Sequence, residues 1–219
     1  NANDVVIGLG GVALTLSDAE HLVFKNLTFG DTVGNTTYAV QFMGMCYNIE
    51  IKECNIYTSI TTTSSSYVAI YCSNVNQPKY LKDIRILNNN IRGGYYNVYM
   101  YYICGNSTSY MNSGSVTING NSLRDAYTYG IYNYYYSRYY SISNNTIKSR
   151  VNTASTYYGI YSYYYTTIDT MQRNKIQVIT SGTGYGMYLS YYQNYSSSYG
   201  AKAPMYIVNN EIIVSAGST

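Results

Sequence analysis

The chain has 219 residues, of which 33 are Tyr, three Phe and none Trp, and only 11% are charged, against roughly 25% in ordinary soluble domains. Its net charge of 13 − 10 = +3 is too small and too scattered to suit nucleic acid, and no apolar run reaches the roughly 18 residues of a membrane-spanning helix. Four cysteines without CxxC spacing and a single histidine, His21, exclude the usual zinc patterns, so no cofactor and no metal is expected.

Strand-like alternation opens the chain, with Val5, Ile7 and Leu9, then Val12, Leu14 and Leu16. It begins at Asn1 without a basic segment leading into an apolar one, and is read as a mature or excised piece of a longer protein forming a single domain over 1–219. FKNLTF (24–29) and IKECNI (51–56) then introduce a phrase that recurs five times: ILNNNI (86–91), INGNSL (118–123), ISNNTI (142–147), MQRNKI (171–176) and IVNNEI (207–212). Each of the five reads apolar, any, any, Asn, any, apolar. The closing residues Phe29, Ile56, Ile91, Leu123, Ile147, Ile176 and Ile212 are 24 to 36 positions apart, the spacing of a solenoid.

A second phrase lies between them: YAVQF (38–42), VAIYC (68–72), YNVYM (96–100), YGIYN (129–133), YGIYS (158–162) and YGMYL (185–189). Both phrases alternate with period two and are rich in β-branched and aromatic residues, as strands are. Gly, Asn, Ser, Thr and Tyr are poor helix formers, and capped periodic stretches are missing, so no helix is expected.

The prediction is an all-β right-handed parallel β-helix of about seven coils. Matching residues of successive coils should stack into two internal ladders, Val40, Ile70, Val98, Ile131, Ile160, Met187 and Ile51, Ile86, Ile118, Ile142, Met171, Ile207. An Asn column, Asn89, Asn121, Asn145, Asn174 and Asn210, should occupy a corner, where Asn tolerates the left-handed region and its amides bond along the stack. The unequal intervals should be absorbed at corners, in 59–66, 105–115 and 194–204. Cys46, Cys54, Cys72 and Cys104 are read as buried free thiols, with one or two disulfides as the alternative.

These phrases resemble the right-handed parallel β-helix repeat family, the pectate-lyase-like superfamily, over roughly 5–214. The resemblance implies an internal asparagine ladder and substrate placement along an outer sheet. It does not fix an activity, because that superfamily includes lyases, glycoside hydrolases, phage tailspikes and noncatalytic adhesins.

Strand parity sorts the tyrosines. Tyr71, Tyr99, Tyr132, Tyr161 and Tyr188 should face outward, as should Tyr101, Tyr134 and Tyr163. Ala39, Ala69, Asn97, Gly130, Gly159 and Gly186 should form an outward shelf of small residues, while Tyr38, Tyr96, Tyr129, Tyr158 and Tyr185 carry inward parity near a corner. The eight outward tyrosines are the candidate ligand-binding residues. They read either as packing ladders or as an aromatic face for a glycan, with sugar C–H groups on the rings and hydroxyls on their polar tips.

Catalysis finds little support. Glycoside hydrolysis needs two carboxylates about 5–9.5 Å apart, yet the ten acids are dispersed. Glu50 and Asp83 come closest, and Lys52 and Arg85 beside them suggest a solvated mixed-charge face. Arg124 and Asp125 read as a surface pair. The Asp-Asp and Gly-His-Gly elements of polygalacturonase-like enzymes are missing, so no catalytic residue is assigned.

The leading expectation is a noncatalytic secreted or surface-displayed β-helix, on a bacterial cell or a phage particle, that binds polysaccharide or cell-surface glycan. A structural shaft of a fibre, tailspike or filament is the alternative, with end-to-end self-association or flanking domains covering the open coils. Part of a polysaccharide lyase or glycoside hydrolase is the third reading. Neither nucleic-acid binding nor membrane insertion is expected.

Overall fold

Every third strand returns to the same sheet. In the computed structural model, which describes residues 6–7, 10–74, 80–104, 114–151, 156–190 and 204–216, 22 strands form three parallel sheets of eight, seven and seven strands. Each coil takes one strand from each sheet, giving a right-handed parallel β-helix of about seven coils with no helix among the described residues. Sheet I runs from Val6–Ile7 to Glu211–Ala216. Sheet II contains Gly11–Ser17, Thr36–Met43, Val68–Ser73, Tyr96–Tyr101, Tyr129–Tyr134, Thr156–Tyr163 and Thr183–Ser190. Sheet III runs from Glu20–Lys25 to Tyr206–Val208.

Register confirms both predicted ladders. Val40 pairs with Ile70, Ile70 with Val98, Val98 with Ile131, Ile131 with Ile160 and Ile160 with Met187. Ile51, Ile86, Ile118, Ile142, Met171 and Ile207 stack likewise on sheet III. Phe29, Ile56, Ile91, Leu123, Ile147, Ile176 and Ile212 form a third column on sheet I. From the second coil to the sixth their side chains meet in one core, while Ile207 and Ile212 of the last coil remain exposed; each fully buried member stabilises the fold by about 1.5–3 kcal/mol before entropy is counted. The four cysteines are buried free thiols.

The Asn column stands as predicted and its amides bond along the stack, but the left-handed backbone expected of it lies elsewhere. The left-handed backbone belongs to the residue before each ladder position, which Leu27 and Cys54 occupy in the first two phrases: Asn26, Glu53, Asn88, Gly120, Asn144, Arg173 and Asn209 have φ between 52° and 71°. Asn89, Asn121, Asn145, Asn174 and Asn210 instead serve hydrogen bonding. The Asn145 Nδ2 donates to Ile118 O at 2.8 Å and to Asn174 Oδ1 at 3.0 Å. Its Oδ1 accepts from the Asn121 backbone N–H at 3.0 Å and from Asn121 Nδ2 at 3.1 Å. The same exchange joins Asn89 to Asn121 and Asn174 to Asn210, so each amide satisfies backbone groups that the corner leaves unpaired.

The small-residue shelf is overturned. Ala39, Ala69, Asn97, Gly130, Gly159 and Gly186 point inward and are buried, whereas Tyr38, Tyr96, Tyr129, Tyr158 and Tyr185 point outward. Strict alternation fails because sheet II strands bend where they leave the corner: Asn97 and Val98 are buried in succession, and pairing passes from Tyr96–Tyr129 to Val98–Ile131. The bend tucks the small residue against the sheet I ladder. A Cβ on Gly159 would lie 2.5 Å from Ile176 Cγ2 and 2.5 Å from the Gly186 carbonyl.

Of the expected corner insertions, residues 59–66 do lie between the strands Asn55–Tyr57 and Val68–Ser73. Most of the other two, 105–113 and 194–203, falls outside the described residues, as do Val5 and Leu9.

Candidate functional site

All eight candidate tyrosines lie on the outward face of sheet II, in two columns. In the first, ring centroids are 5.3 Å apart for Tyr71–Tyr99, 5.0 Å for Tyr99–Tyr132, 5.1 Å for Tyr132–Tyr161 and 5.1 Å for Tyr161–Tyr188, with interplanar angles of 15° or less. In the second, Tyr101–Tyr134 and Tyr134–Tyr163 are each 5.4 Å apart. The spacing follows the strand repeat of about 4.8 Å, so one ring is added per coil.

Two further groups escape strand parity. Tyr96, Tyr129, Tyr158 and Tyr185 form a column of their own at 5.0, 5.1 and 4.7 Å. It meets the Tyr99 column edge-on, as in Tyr158–Tyr161 at 5.2 Å and 80°. The glycines within the YGIY phrases were its available signal, because Gly inside a strand pattern marks a bend or a close backbone approach. The other group lies at the turn from sheet II into sheet III. There Tyr102 stacks on Tyr135 at 5.2 Å and Tyr136 on Tyr165 at 5.0 Å, while Tyr134 meets Tyr135 edge-on at 4.4 Å. The rings thus form a continuous wall from one edge of sheet II to its far corner.

The corner tyrosines are costly. Tyr102, Tyr135, Tyr136, Tyr164 and Tyr165 all have positive φ, between 39° and 59°. A left-handed backbone costs a bulky L-residue roughly 1–2 kcal/mol.

Offset-stacked and edge-to-face rings at these separations contribute about 0.5–1.5 kcal/mol each beyond the area they bury. The wall therefore holds coils together while leaving ring edges and hydroxyls half-exposed. Burial, with neighbouring phenols second, pushes the hydroxyls of Tyr96, Tyr99, Tyr132 and Tyr161 well above the ordinary value. The same causes raise Tyr129 and Tyr102 to about 12. At neutral pH these phenols stay protonated, uncharged and able to donate hydrogen bonds.

Charge sits elsewhere. On sheet III, Glu50 is bracketed by Lys52 and by Arg85 Nε at 3.1 Å, and Arg85 reaches Asp83 at 3.7 Å, the predicted mixed-charge face. These bonds, Lys52 first, hold the Glu50 carboxyl below its usual range, against the opposing effect of burial. The expected Arg124–Asp125 pair is not formed. Asp125, with φ 61°, turns to Arg92 of the preceding coil, and Arg124 donates to Asn90 Oδ1 at 3.2 Å. The ladder shifts register between Arg124 and Ala126, and the left-handed backbone of Asp125 at that shift aims its carboxylate at the neighbouring coil rather than at Arg124. Among the described residues, no three His, Cys, Asp or Glu side chains gather as a metal site would require.

A cleft of about 170 Å³ lies at Glu20, Met45, Tyr47, Tyr80 and Lys82, smaller than the roughly 300–1,000 Å³ of ligand pockets. The tyrosine wall, an extended surface that holds all eight candidate residues, is the candidate site. No family model, curated protein or solved structure matches this chain.

Proposed function

We propose that this protein is a noncatalytic β-helix, of a secreted or surface-displayed kind related to the pectate-lyase-like superfamily, that binds glycan or another surface through its tyrosine wall. The observation that carries this reading is the unbroken outward column Tyr71–Tyr99–Tyr132–Tyr161–Tyr188, flanked by parallel columns on both sides. Contiguous exposed aromatic surface of this extent marks interaction sites. Tyr supplies an apolar face and a hydrogen-bonding tip at low entropic cost, and a sugar unit is of the same order of length as one coil step. Glu50, Asp83 and Asp169 of sheet III are engaged by Lys52, Arg85 and Arg138, which favours binding over hydrolysis.

Replacing Tyr132, Tyr161 and Tyr188 together by Ala is the direct test. Binding on a glycan array should be abolished while the far-UV circular dichroism spectrum stays that of the wild type. Binding that survives the triple replacement rejects the proposal.

The second reading, a structural shaft, is favoured by the same ring columns acting as coil-to-coil packing. It predicts sedimentation that depends on concentration, and a strictly monomeric protein counts against it.

A further inference from the structure

One corner position can be followed through the chain. Backbone hydrogen bonds connect the turn out of sheet II level by level. Asp18 N–H donates to Met43 O, Asn74 to Tyr101 O, Tyr102 to Tyr134 O, Tyr135 to Tyr163 O and Tyr164 to Ser190 O. Gly44 and Asn74 exchange side-chain and backbone bonds in the same stack. The position is therefore occupied in turn by Asp18, Gly44, Asn74, Tyr102, Tyr135 and Tyr164. Asp18 and Gly44 adopt positive φ, and Asp and Gly do so at little cost. The turn itself thus has no need of an aromatic residue. From the fourth occupant on it is Tyr nonetheless, in the coils that also carry Tyr101, Tyr134 and Tyr163. Tyr136 and Tyr165 repeat the choice at the next residue, again left-handed.

Backbone strain of this kind persists where function calls for the side chain. These five rings continue the wall around the corner, Tyr134 meeting Tyr135 at 4.4 Å and Tyr101 meeting Tyr102 at 4.5 Å, with Tyr136 also packed against the core. The columns contain no acidic or basic side chain. A surface of rings and hydroxyls without charge complements a ligand of the same character.

We propose that Tyr102, Tyr135, Tyr136, Tyr164 and Tyr165 form a second part of the binding surface, a corner ridge that seats sugar rings of an uncharged glycan. This rests on the reading of the wall as a glycan-binding face, and it adds both the ligand's charge class and residues that a flat sheet would not supply.

The test uses the full chain with Tyr135→Asn/Tyr164→Asn, Asn being the residue this protein itself places in left-handed turns at Asn88 and Asn144. Titration calorimetry with neutral hexasaccharides of glucose, xylose, mannose and N-acetylglucosamine should give at least a tenfold loss of affinity for whichever binds. The midpoint of thermal unfolding should stay within about 4 °C of wild type, since relief of strain offsets the lost stacking. The Tyr135→Phe/Tyr164→Phe variant, which keeps the rings, should recover affinity to within about threefold. An Asn variant that binds within twofold of wild type, while the Tyr132, Tyr161, Tyr188 replacement abolishes binding, overturns the corner ridge alone. Wild-type protein that prefers an acidic oligosaccharide such as oligogalacturonate overturns the neutral-ligand assignment. Wild-type protein that binds no glycan overturns the parent reading together with the ridge.

Discussion

Replacing Asn145 by Ala probes the internal ladder at its middle. The side chain makes four hydrogen bonds, two donated by Nδ2 and two accepted by Oδ1. Its loss leaves the Asn121 backbone N–H without an acceptor and takes a donor from the Ile118 carbonyl. Asn121 and Asn145 are both about 1% exposed, so water cannot replace the amide without entering the core. Two buried groups left unsatisfied at about 1–3 kcal/mol each give about 2–6 kcal/mol of destabilisation. For a chain of this length that lowers the unfolding midpoint on the order of 10 °C. Asn210→Ala is the control. Asn210 accepts from Asn174 N and Nδ2 at 2.9 Å each, but it is only partly buried, so solvent limits its loss to about 1 kcal/mol. Urea unfolding followed by far-UV circular dichroism measures both. An Asn145→Ala protein no less stable than Asn210→Ala would refute the account of the ladder as buried backbone satisfaction.

Three other outcomes follow from the packing and the titrating groups. Gly159→Ala should destabilise by about 1–3 kcal/mol in the same assay, because the new methyl meets both Ile176 and the Gly186 carbonyl at 2.5 Å. Tyr129 and Tyr134 titrate in the unfolded chain near 10 and in the fold at about 12. Their contribution is therefore complete below pH 10 and falls as pH rises from about 10 through 12, where the unfolded state releases protons the fold retains; alkaline unfolding should coincide with a late, cooperative rise in phenolate absorbance. The thiols of Cys46, Cys54 and Cys72 are pushed up by burial, so a thiol reagent in mildly alkaline buffer should leave the folded protein unlabelled and modify all four cysteines in denaturant.

Much of the coil was legible in the sequence because a solenoid repeats its solution to the same packing problem. Ile131, Ile160 and Met187 recur at one place in one phrase, and alignment of phrases is alignment of coils. The misplaced shelf and the misplaced Tyr96 column share a cause. Parity presumes a straight strand, and sheet II bends at Asn97, Gly130 and Gly159, so side chains on the far side of the bend change face. The Asn phrase likewise contains two adjacent polar positions with different tasks. Asn88 supplies backbone conformation and Asn89 supplies hydrogen bonds, and residue type alone does not divide them. The left-handed tyrosines had no sequence signal, since nothing in the Tyr-Tyr pairs at 135–136 and 164–165 announces a turn that other coils build from Asp or Gly.

The matched ring spacing from Tyr99 to Tyr188 has a statistical consequence. A ligand with a repeat commensurate with the coil step finds several equivalent seats, each offset by one level from the last. Occupancy then gains from multiplicity as well as from contact, and translation along the axis breaks no more interactions at one end than it makes at the other. Such a partner would be held firmly in the lateral direction yet remain free to creep lengthwise, as a bead does on a wire.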